Sequence, residues 1–291
     1  MRVGRYSVEI TNANTIWFKQ PKITKGEIVE YYNNIASHML PYTKNRPLTM
    51  QRFPEGIHKE GFYHKNAPAY FPTWIERIPI KKAEDGIVNY VVANNRATLV
   101  YIANQGCITP HLFLSTVKNL KFPDQIIFDL DPPGDNFDIV RKTALDLHDL
   151  LIELGLVPFL KTTGSRGLHV IVPIKPTENF DTVRDFAFKI AQQMVDQNPK
   201  HRTLEIRKEK RCGRLFIDVM RNAFGQTAVA PYAVRARQGA PVATPLHWDE
   251  LKDKKIRSDF YNIRTIFKRL DKIDDPWRDI KKSARSIQAL R

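Results

Sequence analysis

From about residue 116 the chain alternates strand-like and helix-like segments in an order that admits few sheets. "QIIFDLDPP" is a short apolar strand stopped by two prolines. "NFDIVRKTALDLHDLLIELGL" places Phe137, Val140, Ala144, Leu147, Leu151 and Leu154 at helical spacing, and Gly155 suits its end. "VPFLKTTGSRGLHVIVPI" reads as two strands around a glycine-rich turn. "NFDTVRDFAFKIAQQMVDQ" is a second amphipathic helix and "RLFIDVMRN" a last strand. A β-α-β-β-α-β order is that of the split βαβ, RRM-like unit, in which the first and last strands lie side by side in mid-sheet. The fold class expected is α/β (α+β).

The segment ahead of it is expected to be a mixed α/β lobe. "ITKGEIVEYYNNIASHML" carries a Thr24–Glu27 capping box, and Ile28, Tyr31, Tyr32, Ile35 and Met39 then share one face. "GIVNYVVANNRATLVYIANQGCITPHLFLS" reads as a strand, an Asn-rich turn and a helix. "DDPWRDIKKSARSIQALR" at the end suggests a helix with a basic face. No Pro/Gly/Ser linker interrupts the chain. One bilobed module over 1–291 is therefore expected, with a lobe over about 1–115, a catalytic core over about 116–240 and a basic helical tail over about 241–291.

The strand "FDLD" raises a chemical question. Side chains alternate along a strand, so Asp129 and Asp131 point the same way. Side by side they repel, and burying them without a cation costs several kcal/mol. Strand-end solvation and capping of the next helix would explain them blandly. A divalent metal such as Mg²⁺ or Mn²⁺, which prefers carboxylate oxygens, would explain them chemically. Asp218 follows Leu215, Phe216 and Ile217 on another apolar strand. In a split βαβ sheet all three acids can meet on one face, and paired metals on such acids serve phosphoryl transfer.

"TTGSRGLHVIV" is the second constellation. Gly164 and Gly167 permit a sharp turn that presents N–H groups to an anion, Ser165 adds a hydroxyl, Arg166 a charge, and His169 a donor for a triphosphate oxygen. An ordinary hairpin turn is the alternative. The P-loop pattern G-x-x-x-x-G-K-[ST] is absent.

The charge balance agrees with an anionic partner. There are 46 Lys plus Arg against 31 Asp plus Glu, a net charge of +15, which suits nucleic acid. Two cysteines, Cys107 and Cys212, show no metal-ligand spacing and fit a reducing compartment. "MRVGRYSVEI" has no apolar core of a signal peptide, and no run nears the roughly 18 apolar residues of a membrane span. A soluble, cytoplasmic, nucleoid-associated protein with no membrane partner is expected.

Taken together, D-x-D, then G-S-R-G-x-H, then Asp after an apolar run resemble the archaeo-eukaryotic primase superfamily. Within it the chain resembles the polymerase module of bacterial DNA ligase D. "RPLTMQRFPEG", "GFYHKNAP", "NQGCITPH", "FDLDPP", "GSRGLHVIVPI", "FIDVMRN" and "TAVAPYAVRAR" fall in the family's order over nearly the whole chain. The resemblance implies the primase fold, with Asp129, Asp131 and Asp218 as catalytic metal ligands. It implies that Ser165, Arg166, Gly167, His169 and Arg235 meet the incoming triphosphate, and that Arg211 helps arrange the site. A surface charge is the plain alternative for Arg211. His111 matches a histidine near the catalytic centre, with a core histidine as the alternative, and Arg52 a contact to nucleotide or template. Phe62 and Tyr63 match a pair that stacks on the template, unless they pack in the core. Relatives bind a downstream 5′-phosphate through two lysines. Lys25 matches one; Thr15 stands at the other position, so either Lys19 or Lys22 substitutes or gap binding is weaker here.

The implied activity is template-directed addition of NTP or dNTP at primer ends and in short gaps during non-homologous end joining, with two metals, Mn²⁺ or Mg²⁺. DNA with breaks or 5′-phosphate ends, Ku and an ATP-dependent DNA ligase are the implied partners. No K-x-D-G motif is present, so ligation is expected elsewhere. A two-metal nuclease, a de novo primase and an RRM-like binding module are the competing readings.

Overall fold

Two short hairpins begin the computed structural model, which describes residues 1–81 and 86–290. They are β1 (Arg2–Val3) with β2 (Tyr6–Ser7), and β3 (Ile16–Phe18) with β4 (Ile23–Thr24). Helix α1 (Lys25–Thr43) starts where the capping box forms: Thr24 Oγ1 accepts the Glu27 N–H at 3.2 Å, and Glu27 Oε2 accepts the Thr24 N–H at 2.7 Å. Its expected apolar face is buried. Strands β5 (Pro47–Arg52), β6 (Phe62–His64), β7 (Arg77–Lys81) and β8 (Ile87–Val92) follow, then α2 (Arg96–Asn104) against α1, and β9 (Cys107–Phe113). Asn95 caps α2 through the Thr98 N–H.

The chain then builds the expected alternation: β10 (Gln125–Asp131), α3 (Phe137–Glu153), β11 (Phe159–Thr162), β12 (Leu168–Pro173), α4 (Phe180–Gln197), a two-residue β13 (Arg202–Thr203) and β14 (Leu215–Asp218). Gly155 ends α3 with φ 72°, and the N–H groups of Gly155 and Leu156 bond the carbonyls of Ile152 and Leu151. This is the double closure that a left-handed glycine permits. After β15 (Thr227–Val229) come β16 (Pro245–Leu246) and the five-residue α5 (Ile266–Leu270).

These elements divide into two units. The first holds Met1–Lys118, Thr227–Ala243 and Tyr261–Arg269; the second holds Asn119–Gln226, Thr244–Phe260 and Leu270–Arg291. The first unit's sheet runs β15-β9-β5-β8-β7, antiparallel throughout, with β6 paired to β5 at Met50–Arg52. The second unit's sheet runs β13-β14-β10-β12-β11-β16. Its β14-β10-β12-β11 core is the split βαβ order, so the α/β reading and the pairing of first and last strands hold, while the central pair is β10 with β12. Phe128, Leu130, Leu160, Val170 and Ile217, all 0% exposed, form one apolar face. Helices α3 and α4 cover it with Val140, Ala144, Leu147, Val183 and Ala187. Each large side chain buried this way contributes about 1.5–3 kcal/mol.

The tail departs from expectation. A basic helix is expected there, but among the described residues the helical segments of 241–290 are only α5 and short 3-10 stretches at Trp248–Lys252 and Gln288–Leu290. Two other interactions win. The Trp277 indole, 3% exposed, donates to the Leu160 carbonyl at 2.9 Å. Arg285 bridges in parallel to Ile174, with the Lys175 N–H donating to its carbonyl at 2.8 Å. Pro276 lacks the N–H that a helix through it would need.

Candidate active site

Strand pairing in the second unit lines up a polar row on the face away from the helices. Asp218 on β14 pairs with Asp129 on β10, Asp129 with His169 on β12, and His169 with Lys161 on β11. Residues paired in register point to the same side. Asp131 is two residues further along β10, hence on the same face. One carboxylate oxygen from each of Asp129, Asp131 and Asp218 lies within 4.8 Å of the other two.

The surroundings treat the acids differently. Burial raises the carboxyl of Asp129, but His169, Arg221 and Lys161 outweigh it and hold it at about 2. His169 Nε2 is 3.3 Å from Asp129 Oδ2, and Arg221 Nε is 3.6 Å from the same oxygen. Burial, with Asp129 and Asp218 beside it, pushes Asp131 up to about 6, against the pull of Arg211 and Arg166. Burial also raises Asp218, whose Oδ1 accepts the Met220 N–H at 2.7 Å. Burial, with Lys161 and Arg221, lowers His169 to about 4 despite Asp129, so the imidazole is neutral at pH 7. Its Nδ1 is buried without a hydrogen-bond partner among the described residues. Three crowded carboxylates, two of them resisting ionisation, fit a divalent cation: all three donors are hard oxygens, and the cation removes the repulsion.

The glycine-rich loop joins β11 to β12 and abuts the row. A Cβ on Gly167 would lie 2.0 Å from the Leu130 carbonyl oxygen, so only glycine lets this loop approach β10. The expectation that the loop turns its N–H groups outward is corrected here. The Ser165 and Gly167 N–H groups donate inward to Thr163 Oγ1, at 3.2 and 3.3 Å, and Ser165 N–H also reaches Ser258 Oγ. The turn is too tight to leave them exposed. The Ser165 side chain is half-buried and Arg166 exposed. Arg211 lies 4.0 Å over the Phe216 ring and donates to the carbonyls of Glu205 and Ile206.

The comparisons bear on what this geometry serves. Residues 24–277 match the family described as LigD, primase-polymerase domain. The chain belongs to this family. A primase-polymerase is a nucleotidyltransferase, so the carboxylate row lies in an enzyme of that class. The Bacillus subtilis bifunctional non-homologous end joining protein LigD is 29% identical over 94% of this chain and 44% of its own length. The multifunctional LigD of Mycolicibacterium smegmatis is 32% identical over 92% of this chain and 35% of its own. That of Pseudomonas aeruginosa is 32% identical over 99% and 34%. The chain thus spans between about a third and under half of the length of these LigD relatives. The polymerase domain from Mycobacterium tuberculosis ligase D in complex with DNA superposes with a TM-score of 0.88 at 27% identity, covering 96% of this chain and 99% of that one.

The other sequence-predicted residues of this LigD-family chain lie in the first unit. His111 on β9 is buried, and the Tyr63 ring meets it edge-on at 5.5 Å. Phe62 and Tyr63 are 47% and 60% exposed, so neither is core, and strand alternation on β6 sends them to opposite faces. Arg235 is half-buried and its N–H donates to the Pro241 carbonyl. Lys25 is buried: its Nζ donates to Thr11 Oγ1 at 3.0 Å and sits 5.9 Å from the centre of the Trp17 ring. Its N–H donates to the Thr15 carbonyl, so the two positions matched to paired lysines are neighbours. Lys19 and Lys22 are exposed. Arg52 is 8% exposed, with its guanidinium engaged inside the unit.

Sequence reasoning missed Lys161, Arg221, Thr163 and Ser258. Arg221 stood three residues past Asp218 in a motif already singled out. Lys161 was a basic residue inside an apolar strand, a signal that was available. Ser258 had none, because it reaches the loop from far along the chain.

No helix is long and apolar enough to cross a membrane among the described residues.

Proposed function

We propose that the chain carries out template-directed nucleotidyl transfer at broken or gapped DNA ends in non-homologous end joining. The observation that carries this is the meeting of Asp129, Asp131 and Asp218 on one sheet face beside His169. Two divalent cations, Mn²⁺ or Mg²⁺, held by the three acids would supply activation of the primer 3′-hydroxyl and neutralisation of phosphate charge. Asp129 stays anionic through its contacts with His169 and Arg221. The Ser165 hydroxyl is proposed to orient the triphosphate of an NTP or dNTP; His169 Nε2 faces Asp129, so the neutral ring leaves Nδ1 an acceptor, and a triphosphate contact from His169 requires Nδ1 to be protonated. Arg166, Arg211, Arg221 and the buried Lys161 offset its charge. These residues position and neutralise, and the chain itself forms no covalent intermediate.

Nucleotide roles for Arg235, His111 and Arg52 rest on the resemblance, and the burial of Arg52 favours a supporting role. Phe62 and Tyr63 are proposed to stack on template bases, and their exposure supports this. Lys25, with Lys19 or Lys22, is proposed to meet a downstream 5′-phosphate. Ku and an ATP-dependent ligase activity are proposed partners, in keeping with the LigD relatives. One bilobed module over 1–291, working in the cytoplasm, is the proposed organisation.

The test is extension of a gapped primer–template with Mn²⁺, comparing ribo- with deoxyribonucleotides, beside Asp129→Ala. Templated addition lost in the variant supports the reading, and the ratio gives the sugar preference. Degradation of the primer would move the same acids to a nuclease. Chains made without primer would point to a primase.

A further inference from the structure

We propose that the first unit carries a track for unpaired DNA. It leaves Phe62, crosses Tyr70 and the Trp74–Tyr6 stack, and ends in a cleft between Arg5 and Arg96. The proposal rests on the polymerase reading for its ligand class and extends it to surfaces beyond the Phe62–Tyr63 pair.

The track begins at Arg52. Its Nε donates to the Gln105 carbonyl at 2.8 Å, Nη1 contacts His64 Nδ1 at 2.9 Å, Nη2 donates to Tyr70 Oη at 3.4 Å, and Cζ sits 5.6 Å from the Phe62 ring centre. A guanidinium has no acceptor, so His64 Nδ1 accepts and the imidazole proton sits on Nε2. Arg52 is thus a positioning residue that ties Phe62, His64 and Tyr70 into one cluster.

From Tyr70, which is 62% exposed, rings follow in unbroken contact. Tyr70 meets Phe71 at 5.3 Å, Phe71 meets Tyr101 at 5.0 Å, and Tyr101 meets Trp74 at 6.0 Å, all edge-on. Trp74 stacks on Tyr6 at 4.3 Å and 20° between planes, and Arg5 lies 5.0 Å from the Tyr6 ring centre. Phe71 is buried and serves as foundation; Trp74 and Tyr6 are half-exposed. Arg77 fixes the loop beneath by donating to the carbonyls of Phe71 and Pro72.

The far end is a cleft of about 340 Å³ lined by 3–6 and 95–97, within the size range of small-ligand sites. Arg5 and Arg96 are both exposed, and neither makes an ion pair among the described residues. Exposed rings that lead to two exposed cations at the far end suit a strand whose bases are unstacked and whose phosphates need neutralising. A duplex covers its base faces, and an acidic peptide has no use for the rings. The net charge of +15 complements the ligand.

The experiment measures affinity by fluorescence anisotropy for gapped primer–templates whose unpaired template tail grows from none to about 12 thymidines, within known single-strand site sizes. Wild-type binding should tighten with tail length. Arg5→Ala/Arg96→Ala should remove that gain and reduce the salt slope on tailed substrate by about 1.4, two single-strand phosphate contacts. Binding and extension without a tail should be kept. Tyr70→Ala should weaken tailed binding about tenfold, and Tyr70→Phe should restore it. Length-independent binding by the wild-type protein, or full gain in the double-arginine variant, overturns the track. Tail binding without any extension by the wild-type protein leaves the track standing and removes the polymerase reading; extension without tail dependence does the reverse.

Discussion

Both units are built on a six-stranded sheet, yet they use it in opposite ways. In the second, Asp129 and His169 sit on adjacent central strands and are 6% and 3% exposed. In the first, Phe62 and Tyr63 sit on a three-residue strand off the main sheet path and stand in solvent. The difference fits the chemistry proposed for each. Charged groups gain strength when water is excluded and geometry is fixed on all sides, which a central strand provides. Ring faces that meet varied bases need access rather than rigidity, which an edge provides.

The sharpest way to break this comparison is to remove a central charge. Asp129→Asn should lower extension by about 10³-fold or more while leaving DNA binding within a few-fold, since several kcal/mol of charge stabilisation is lost. Equal loss of binding and extension would make the row structural.

Backbone approach in the second unit gives the next effect. Gly167→Ala places a methyl 2.0 Å from the Leu130 carbonyl and should cost about 3 kcal/mol by denaturant titration. Gly134→Ala, with nothing within 4 Å of its added carbon, should change stability by under about 1 kcal/mol. Similar losses at both would mean that the loop relaxes freely.

A pH series tests whether the central row is held under repulsion. Asp131 is raised to about 6, above its unfolded value near 3.9, so the folded state binds the extra proton between those values. The metal-free protein should therefore lose stability relative to Asp131→Asn as pH rises from about 4 through 6, a comparison that cancels the opposite gain from His169, which is lowered to about 4. Mn²⁺ should raise Tm more at pH 7.5 than at pH 5. A stability difference from Asp131→Asn that rises through that window would reverse the assignment.

The smallest effect belongs to the edge. Phe62→Ala or Tyr63→Ala should each weaken template-dependent binding by about 1–2 kcal/mol, seen by anisotropy, and leave Tm nearly unchanged. A large fall in Tm would show that the rings pack rather than stack.

Much of this was legible beforehand. The Thr24–Glu27 box, the Gly155 stop and the β-α-β-β-α-β order are local patterns, and they appear where expected. The tail was misread because its basic periodicity is local too, whereas burial of Trp277 and pairing of Arg285 are not. The loop's inward N–H groups were misjudged for the same reason: Thr163 and Ser258 come together only in the fold.

By itself, then, the sequence determined the alternation of elements, the side of the strand that Asp129 and Asp131 share, and membership of the family through ordered motifs. Tertiary structure alone decided that Asp218 faces Asp129, that Lys161 and Arg221 lend their charges to the row, and that Arg52 serves the rings around it. The physical reason is that period and capping are written in neighbouring residues. Strand neighbours and register are set by burial across the whole sheet, where a shift of one residue would turn every acid to the opposite face.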